Sequence, residues 1–185
     1  YRRTAEELGA WLPRNMDDLC AQAARIEAAL SAQRDRMVRP FDSAQGRQAH
    51  HAGQPQASIL SLSKDVPCHN DLLNENFLDD GEIRIIDWEY AAMGDPFFDL
   101  GNFAAHHRFD DEQEHWLLEA YFGRDDPLGR LYDKSFARLK LMKMVSDLRE
   151  AMWGVAQIKL SALDFDFKGY AEKYFARFTE MADGW

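Results

Sequence analysis

The sequence predicts a mostly helical α+β domain whose chemistry sits on a small β-hairpin. Three observations predict it. Apolar residues recur at helical spacing through most of the chain, one pair of short β-like runs flanks Asp79-Asp80-Gly81, and a polar loop rich in Asn and Asp stands just before that pair. With 185 residues, 46% of them hydrophobic and 12% aromatic, the chain has enough apolar surface to bury a core.

The organisation reads as a helical part over 1–39, a low-complexity insertion over 40–65, and a part over 66–185 that carries the site. Thr4-Ala-Glu-Glu7 has capping-box spacing, which predicts a first helix capped by Thr4, running toward Trp11 and stopping before Pro13. Asn15 caps a second helix with Leu19, Ala23, Ile26 and Leu30 on one stripe, ending near Arg36. The stretch from Pro40 to Asp65 is rich in Gln, Ser, Ala and His without a period, which predicts a loop. Val66-Pro67-Cys68 is a short strand, His69 to Asn76 a polar loop, and Phe77-Leu78 with Ile83 to Ile86 a hairpin turning at Asp79-Asp80-Gly81. Trp88, just beyond it, is expected in the core.

Asp95-Pro96 then opens a helix carrying Phe98, Leu100 and Phe103, and Asp110 caps another expected to bury Trp116, Leu117 and Tyr121. A long helix from about Leu128 to Leu160 presents Leu131, Leu139, Met142, Val145 and Trp153. A last one presents Phe167, Tyr170, Tyr174, Phe178 and Met181.

The net charge of −10 disfavours nucleic acid and anionic membrane surfaces and suits a small cationic guest. Two cysteines, Cys20 and Cys68, make no disulfide framework and fit a reducing, cytoplasmic setting. No apolar run is long enough to span a bilayer. The histidines at 50–51, 106–107 and 115 lack partners that would close a transition-metal set.

The informative stretch is residues 68–90, CHNDLLNENFLDDGEIRIIDWEY. The hairpin turn lies midway between Asn76 and Asp87, so folding back brings both toward Asp71. Phosphoryl transfer to an alcohol needs such a set: a carboxylate where the hydroxyl proton leaves, and hard oxygen ligands holding Mg²⁺ against nucleotide phosphates. A bare Asp-x-x-x-x-Asn is too common to carry weight. Adding His69 two residues before the Asp, and Ile85-Ile86-Asp87 at a strand end, removes coincidence. The order follows the protein-kinase catalytic loop and metal-binding Asp, although Trp88-Glu89 stands where those enzymes carry Phe-Gly.

His69-Asn70-Asp71-Leu72-Leu73 through Asn76, followed by Ile86-Asp87-Trp88-Glu89-Tyr90, resembles bacterial choline/ethanolamine kinases within the aminoglycoside-phosphotransferase-like superfamily. Asp95-Pro96-Phe97-Phe98-Asp99-Leu100-Gly101-Asn102 resembles the family segment that buttresses the catalytic loop. Glu150 to Gly154, Leu163-Asp164-Phe165 and Tyr170 resemble its choline-pocket helices. The resemblance covers about residues 66–183 and implies the C-terminal lobe of a protein-kinase-like fold. It further implies ATP as co-substrate, Asp71 as catalytic base, and Asn76 and Asp87 as Mg²⁺ and nucleotide-side ligands. His69 and Asp99 would support the loop, and Tyr90, Trp153, Phe165 and Tyr170 would line the amine pocket. Two positions depart from the family: Ala156 where a second pocket Trp often stands, and His106 where some members have a Glu.

A quaternary ammonium is held best by aromatic faces, with carboxylates such as Glu89 or Asp164 adding attraction. The same aromatic spacings also build cores, so the sequence leaves Trp153, Phe165 and Tyr170 open between a cation cage and packing. His69 reads as a loop-holding histidine rather than a proton carrier, and Asp99 as structural. No Gly-rich phosphate loop and no strand-borne Lys precede His69, and the chain does not open on Met. The expectation is therefore a kinase fragment whose N-terminal, nucleotide-clasping lobe lies outside it. An aminoglycoside-type phosphotransferase and a non-catalytic amine- or partner-binding module are the alternatives.

Overall fold

A computed structural model describes residues 2–38, 65–122 and 130–185. The loop expected over 40–65 therefore lies outside the described residues except for Asp65, as does the side chain of Leu131. The first helix, α1 (Arg2–Glu7), begins earlier than the capping-box spacing predicts. Arg2 and Arg3 pair with Glu6 and Glu7, each at 2.9 Å, so Glu7 is engaged within the helix and Thr4 is an interior residue. Gly9, at φ +62°, ends it short of Trp11, with the Ala10 N–H bonded to Ala5 O. Helix α2 (Met16–Val38) follows Asn15 and buries Leu19 and Ile26 as the stripe requires.

Four short strands form two nested antiparallel pairs. The outer pair joins β1 (Val66–Cys68) to β4 (Ala92–Gly94), with Cys68 opposite Ala92. The inner pair is the expected hairpin, β2 (Phe77–Asp79) with β3 (Ile83–Ile85), turning at Gly81, whose φ of +103° a residue with a Cβ rarely adopts. The consequence is geometric: the loops between the two pairs, 69–76 and 86–91, are forced to face each other.

The rest is helical: α3 (Pro96–His106), α4 (Asp111–Phe122), α5 (Arg130–Leu160) and α6 (Phe167–Asp183). Asp95 caps α3 by accepting from the Phe97 N–H at 3.0 Å. Asp110 and Gln113 cap α4 reciprocally, at 2.9 and 3.0 Å. Helix α5, about 46 Å long at 1.5 Å per residue, is the central post. One face joins Leu141, Met144 and Val155 to α1, α2 and α6, and another joins Leu139 and Met142 to Phe97 and Leu118. Fully burying an aromatic or aliphatic side chain contributes about 1.5–3 kcal/mol, so Phe97 and Phe178, both fully buried, are major anchors. At Gly101 a Cβ would lie 2.7 Å from the Lys143 backbone nitrogen, so α3 meets α5 at backbone distance there.

Two burial expectations are corrected. Trp88 is 53% exposed, because it sits on a turn after β3 and its indole N–H is already bonded to Ile85 O at 2.9 Å. Helix α4 is rotated relative to expectation: Trp116 and Tyr121 are exposed, whereas Glu114 and Leu118 are buried. Glu114 can be buried on that face because Lys140 and Lys143 of α5 neutralise it, at 2.8 and 2.6 Å.

Candidate functional site

The loop after β1 is held in an unfavourable backbone shape by helix α3. Asn70 has φ +65°, a left-handed conformation uncommon for a residue with a side chain. Asp99 compensates: its carboxylate accepts from the His69 and Asn70 N–H groups, each at 2.7 Å. One turn along α3, buried Asn102 accepts from the Leu72 N–H and donates to Ser146 of α5 at 3.0 Å. The spacing of Asp99 and Asn102 puts both on one helix face toward the loop. His69 ties the two loops together, with Nε2 2.8 Å from Ile86 O and its ring centroid 4.6 Å from that of Trp88 in an edge-to-face arrangement.

Asp71 and Asn76 are in direct contact. The Asn76 amide nitrogen donates to Asp71 O at 2.8 Å and reaches Asp71 Oδ2 at 3.4 Å. Asp87 comes to the same place through the chain, since Ile86 N–H donates to Asn76 O at 3.0 Å and Asp87 is the next residue. Asp87 has φ +62° and an exposed side chain, so each of the two loops carries one left-handed non-glycine residue, Asn70 in the first and Asp87 in the second.

Among the described residues no group of three or more His, Cys, Asp and Glu could hold a metal ion. The oxygen set here is of another kind. With Asn76 Nδ2 committed to Asp71, its Oδ1 remains as a donor, and the Asp87 carboxylate is open. Two hard oxygens suit Mg²⁺, which keeps several waters and takes phosphate oxygens for the rest. The donor chemistry fits Mg²⁺ and does not fit a closed transition-metal site.

Trp153, Phe165 and Tyr170 do come together. Ring centroids lie 5.8 Å apart for Trp153 and Tyr170 and 6.0 Å for Phe165 and Tyr170, with Phe167 wedged 5.9 Å from Trp153 and 4.9 Å from Phe165. The Tyr90 ring lies under the Arg149 guanidinium, at 5.1 Å, and Arg149 in turn meets Glu150. The Tyr170 hydroxyl donates to Glu150 at 2.7 Å, and Glu150 also meets Arg149 at 3.3 Å and His106 at 3.8 Å. Burial alone would push the Glu150 carboxyl up, but His106, the Tyr170 hydroxyl and Arg149 outweigh it and hold the group below the usual carboxylate range. Burial and the neighbouring Glu150 push the Tyr170 hydroxyl up, so it stays a donor.

One of these residues lies outside the motif reading. Arg149 bonds Asn70 O at 2.7 Å and Asp71 at 3.3 Å from 79 and 78 positions away, and no spacing rule connects them. Glu150 is the buried carboxylate beside the aromatic trio, whereas Glu89 and Asp164 are exposed. It opens the Glu150 to Gly154 stretch that resembles the pocket helix, three positions before Trp153.

A mostly helical unit with nested two-stranded pairs and a left-handed Asp at a strand end defines the C-terminal lobe of a protein-kinase-like fold. The chain belongs to the phosphotransferase enzyme family, whose family model (APH) matches residues 2–132. It is similar to ethanolamine kinase 2 of Rattus norvegicus, 33% identical over 133 residues, covering 63% of this chain and 34% of that protein. It is similar also to protein LicA of Haemophilus influenzae, 31% identical over 97 residues, covering 50% of this chain and 29% of that protein. Among solved structures, a choline/ethanolamine kinase family protein from Mesorhizobium loti superposes with a TM-score of 0.67 at 27% identity, over 97% of this chain and 53% of that one. The chain thus spans about a third of the length of these curated relatives. No helix among the described residues is long and apolar enough to cross a membrane.

Proposed function

We propose that this chain is the acceptor-binding lobe of an ATP- and Mg²⁺-dependent phosphotransferase acting on the hydroxyl of a small amino alcohol, of the choline or ethanolamine type. One observation carries the reading. The Asp71–Asn76 contact and the aromatic trio, far apart in sequence, are joined in space by Arg149 and Glu150.

In this reading the acceptor ammonium rests against Trp153, Phe165 and Tyr170, near the negative charge of Glu150. Its hydroxyl reaches Asp71, whose carboxylate takes the proton as the oxygen bonds to the γ-phosphorus of ATP and the bond from that phosphorus to the β-phosphate oxygen breaks, releasing ADP. Asn76 Oδ1 and Asp87 would hold Mg²⁺, which neutralises charge on the nucleotide phosphates. His69 and Asp99 keep the two loops in register. The exposed apolar side chains Ile83, Ile86, Trp88 and Met93 are read as part of the surface against which a nucleotide-covering lobe packs.

Phosphoryl transfer from Mg²⁺-ATP to ethanolamine, choline and an aminoglycoside tests the proposal, in the protein as its gene encodes it. Turnover of a small amino alcohol, lost by at least about 100-fold in Asp71→Asn, is the expected outcome. Turnover of the aminoglycoside alone would replace the acceptor class. No turnover of any alcohol would leave a non-catalytic amine-binding module.

A further inference from the structure

We propose that Arg149 and Glu150 form a positioning relay that sets the Asp71 carboxylate relative to the acceptor pocket. The inference rests on the reading of Asp71 as base and adds two α5 side chains that the loop motif does not contain.

Arg149 makes three contacts through one nitrogen: 2.7 Å to Asn70 O, 3.3 Å to Asp71 Oδ1 and 3.3 Å to Glu150 Oε1. Among the described residues, no other Lys or Arg bonds to the 69–77 loop, and the loop's own sequence, HNDLLNENF, contains neither. The Asp71 carboxylate is therefore held at both oxygens, Oδ1 by Arg149 and Oδ2 by Asn76. The guanidinium is itself confined, 5.1 Å from the Tyr90 ring and 6.0 Å from Phe98. A planar fork between two aromatic faces has few alternative orientations.

The other end of the relay is the pocket. Glu150 uses its second oxygen to accept from Tyr170, whose ring packs 5.8 Å from Trp153. The side chains of Arg149 and Glu150 are only 17% and 7% exposed. An ion pair so desolvated returns little stability compared with apolar packing, so its cost is better explained by orientation than by folding. Positioning errors are expensive in rate, since a misplacement of about 1 Å costs roughly 100-fold.

The test compares steady-state transfer to ethanolamine by the wild type, Arg149→Ala, Arg149→Lys, Glu150→Gln and the Arg149→Ala/Glu150→Gln double variant. Arg149→Ala is expected to lower kcat by about 30-fold or more while acceptor KM stays within about threefold, and Lys to restore part of the loss. Because both side chains act through one path, the double variant falls no further than Arg149→Ala. Wild-type kcat in Arg149→Ala, a loss confined to KM, or losses that multiply would overturn the relay and leave the phosphotransferase reading standing.

If the wild type itself transfers to no amino alcohol, that reading fails, and amide hydrogen exchange decides the relay. The expectation is then an exchange rise of about tenfold at Asn70 and Leu72 in Arg149→Ala, reversed by Lys, with α6 amides unchanged. Unaltered exchange at those two amides overturns it.

Discussion

The Asp99 carboxylate accepts the Asn70 backbone N–H at 2.7 Å, and in doing so it holds a left-handed residue immediately before Asp71. The same carboxylate takes the His69 N–H, so the loop is oriented by a helix rather than by its own sequence. Hydrogen bonds to a charged acceptor contribute about 1.5–3 kcal/mol each. Asp99→Ala should therefore lower unfolding stability by about 2–4 kcal/mol in urea titration. Asn70→Gly, which relieves the positive φ but loses the bond to Tyr90 O, should change it by less than about 1 kcal/mol.

Gly101 gives a second prediction. A methyl there would press on the α5 backbone at Met142 and Lys143, both at 2.7 Å, and backbone cannot yield as a side chain does. Gly101→Ala should destabilise by about 1–3 kcal/mol and lower the thermal midpoint, despite the better helix propensity of Ala.

Asp147 gives a pH dependence of known sign. It is fully buried, and burial raises its carboxyl from 3.8 to about 6 even though Arg177 lies 3.0 Å away and opposes the shift. A folded-state value above the unfolded one means that the native state binds the proton more tightly. This group's contribution is thus most favourable below the unfolded value and is lost as pH rises through about 6. The loss is on the order of 2–3 kcal/mol. Subtracting the stability–pH curve of Asp147→Asn from that of the wild type should reveal a decline between about pH 4 and 6. A flat difference would contradict it.

The aromatic trio separates a cation cage from plain packing. Trp153 is only partly buried and Phe165 is 54% exposed, so neither is consumed by the core. Losing one cation–π face costs about 1–2 kcal/mol. Trp153→Ala should therefore raise acceptor KM by about 10-fold with little change in kcat, and should affect choline and ethanolamine unequally. An unchanged KM would leave the trio as packing.

How legible this site was depends on which interactions are local. The hairpin, the Asp95 cap and the α6 stripe follow from turn chemistry and period, which neighbouring residues determine. Strand β4 was not legible, because Ala92-Met93-Gly94 has no alternation and is a strand only through its pairing with β1. That pairing closes the base of the site. Trp88 reads as core by size, but the hairpin packs through Phe77 against Phe103 and His107 and leaves its other face open. Arg149 was invisible for the same reason as β4: its partners lie far off in sequence, and only the crossing of α5 behind the loop brings them near.

In the proposed function Asn76 and Asp87 offer their oxygens to one divalent cation beside Asp71. Electron paramagnetic resonance of Mn²⁺ titrated into the protein with ATP measures this directly, comparing the wild type with Asp87→Ala, Asn76→Ala and the double variant. Each single change should weaken Mn²⁺ binding by at least about 10-fold, with the double variant little worse than either, as for ligands of one ion. Mn²⁺ affinities equal to wild type in both single variants would rule out a cation shared by Asn76 and Asp87.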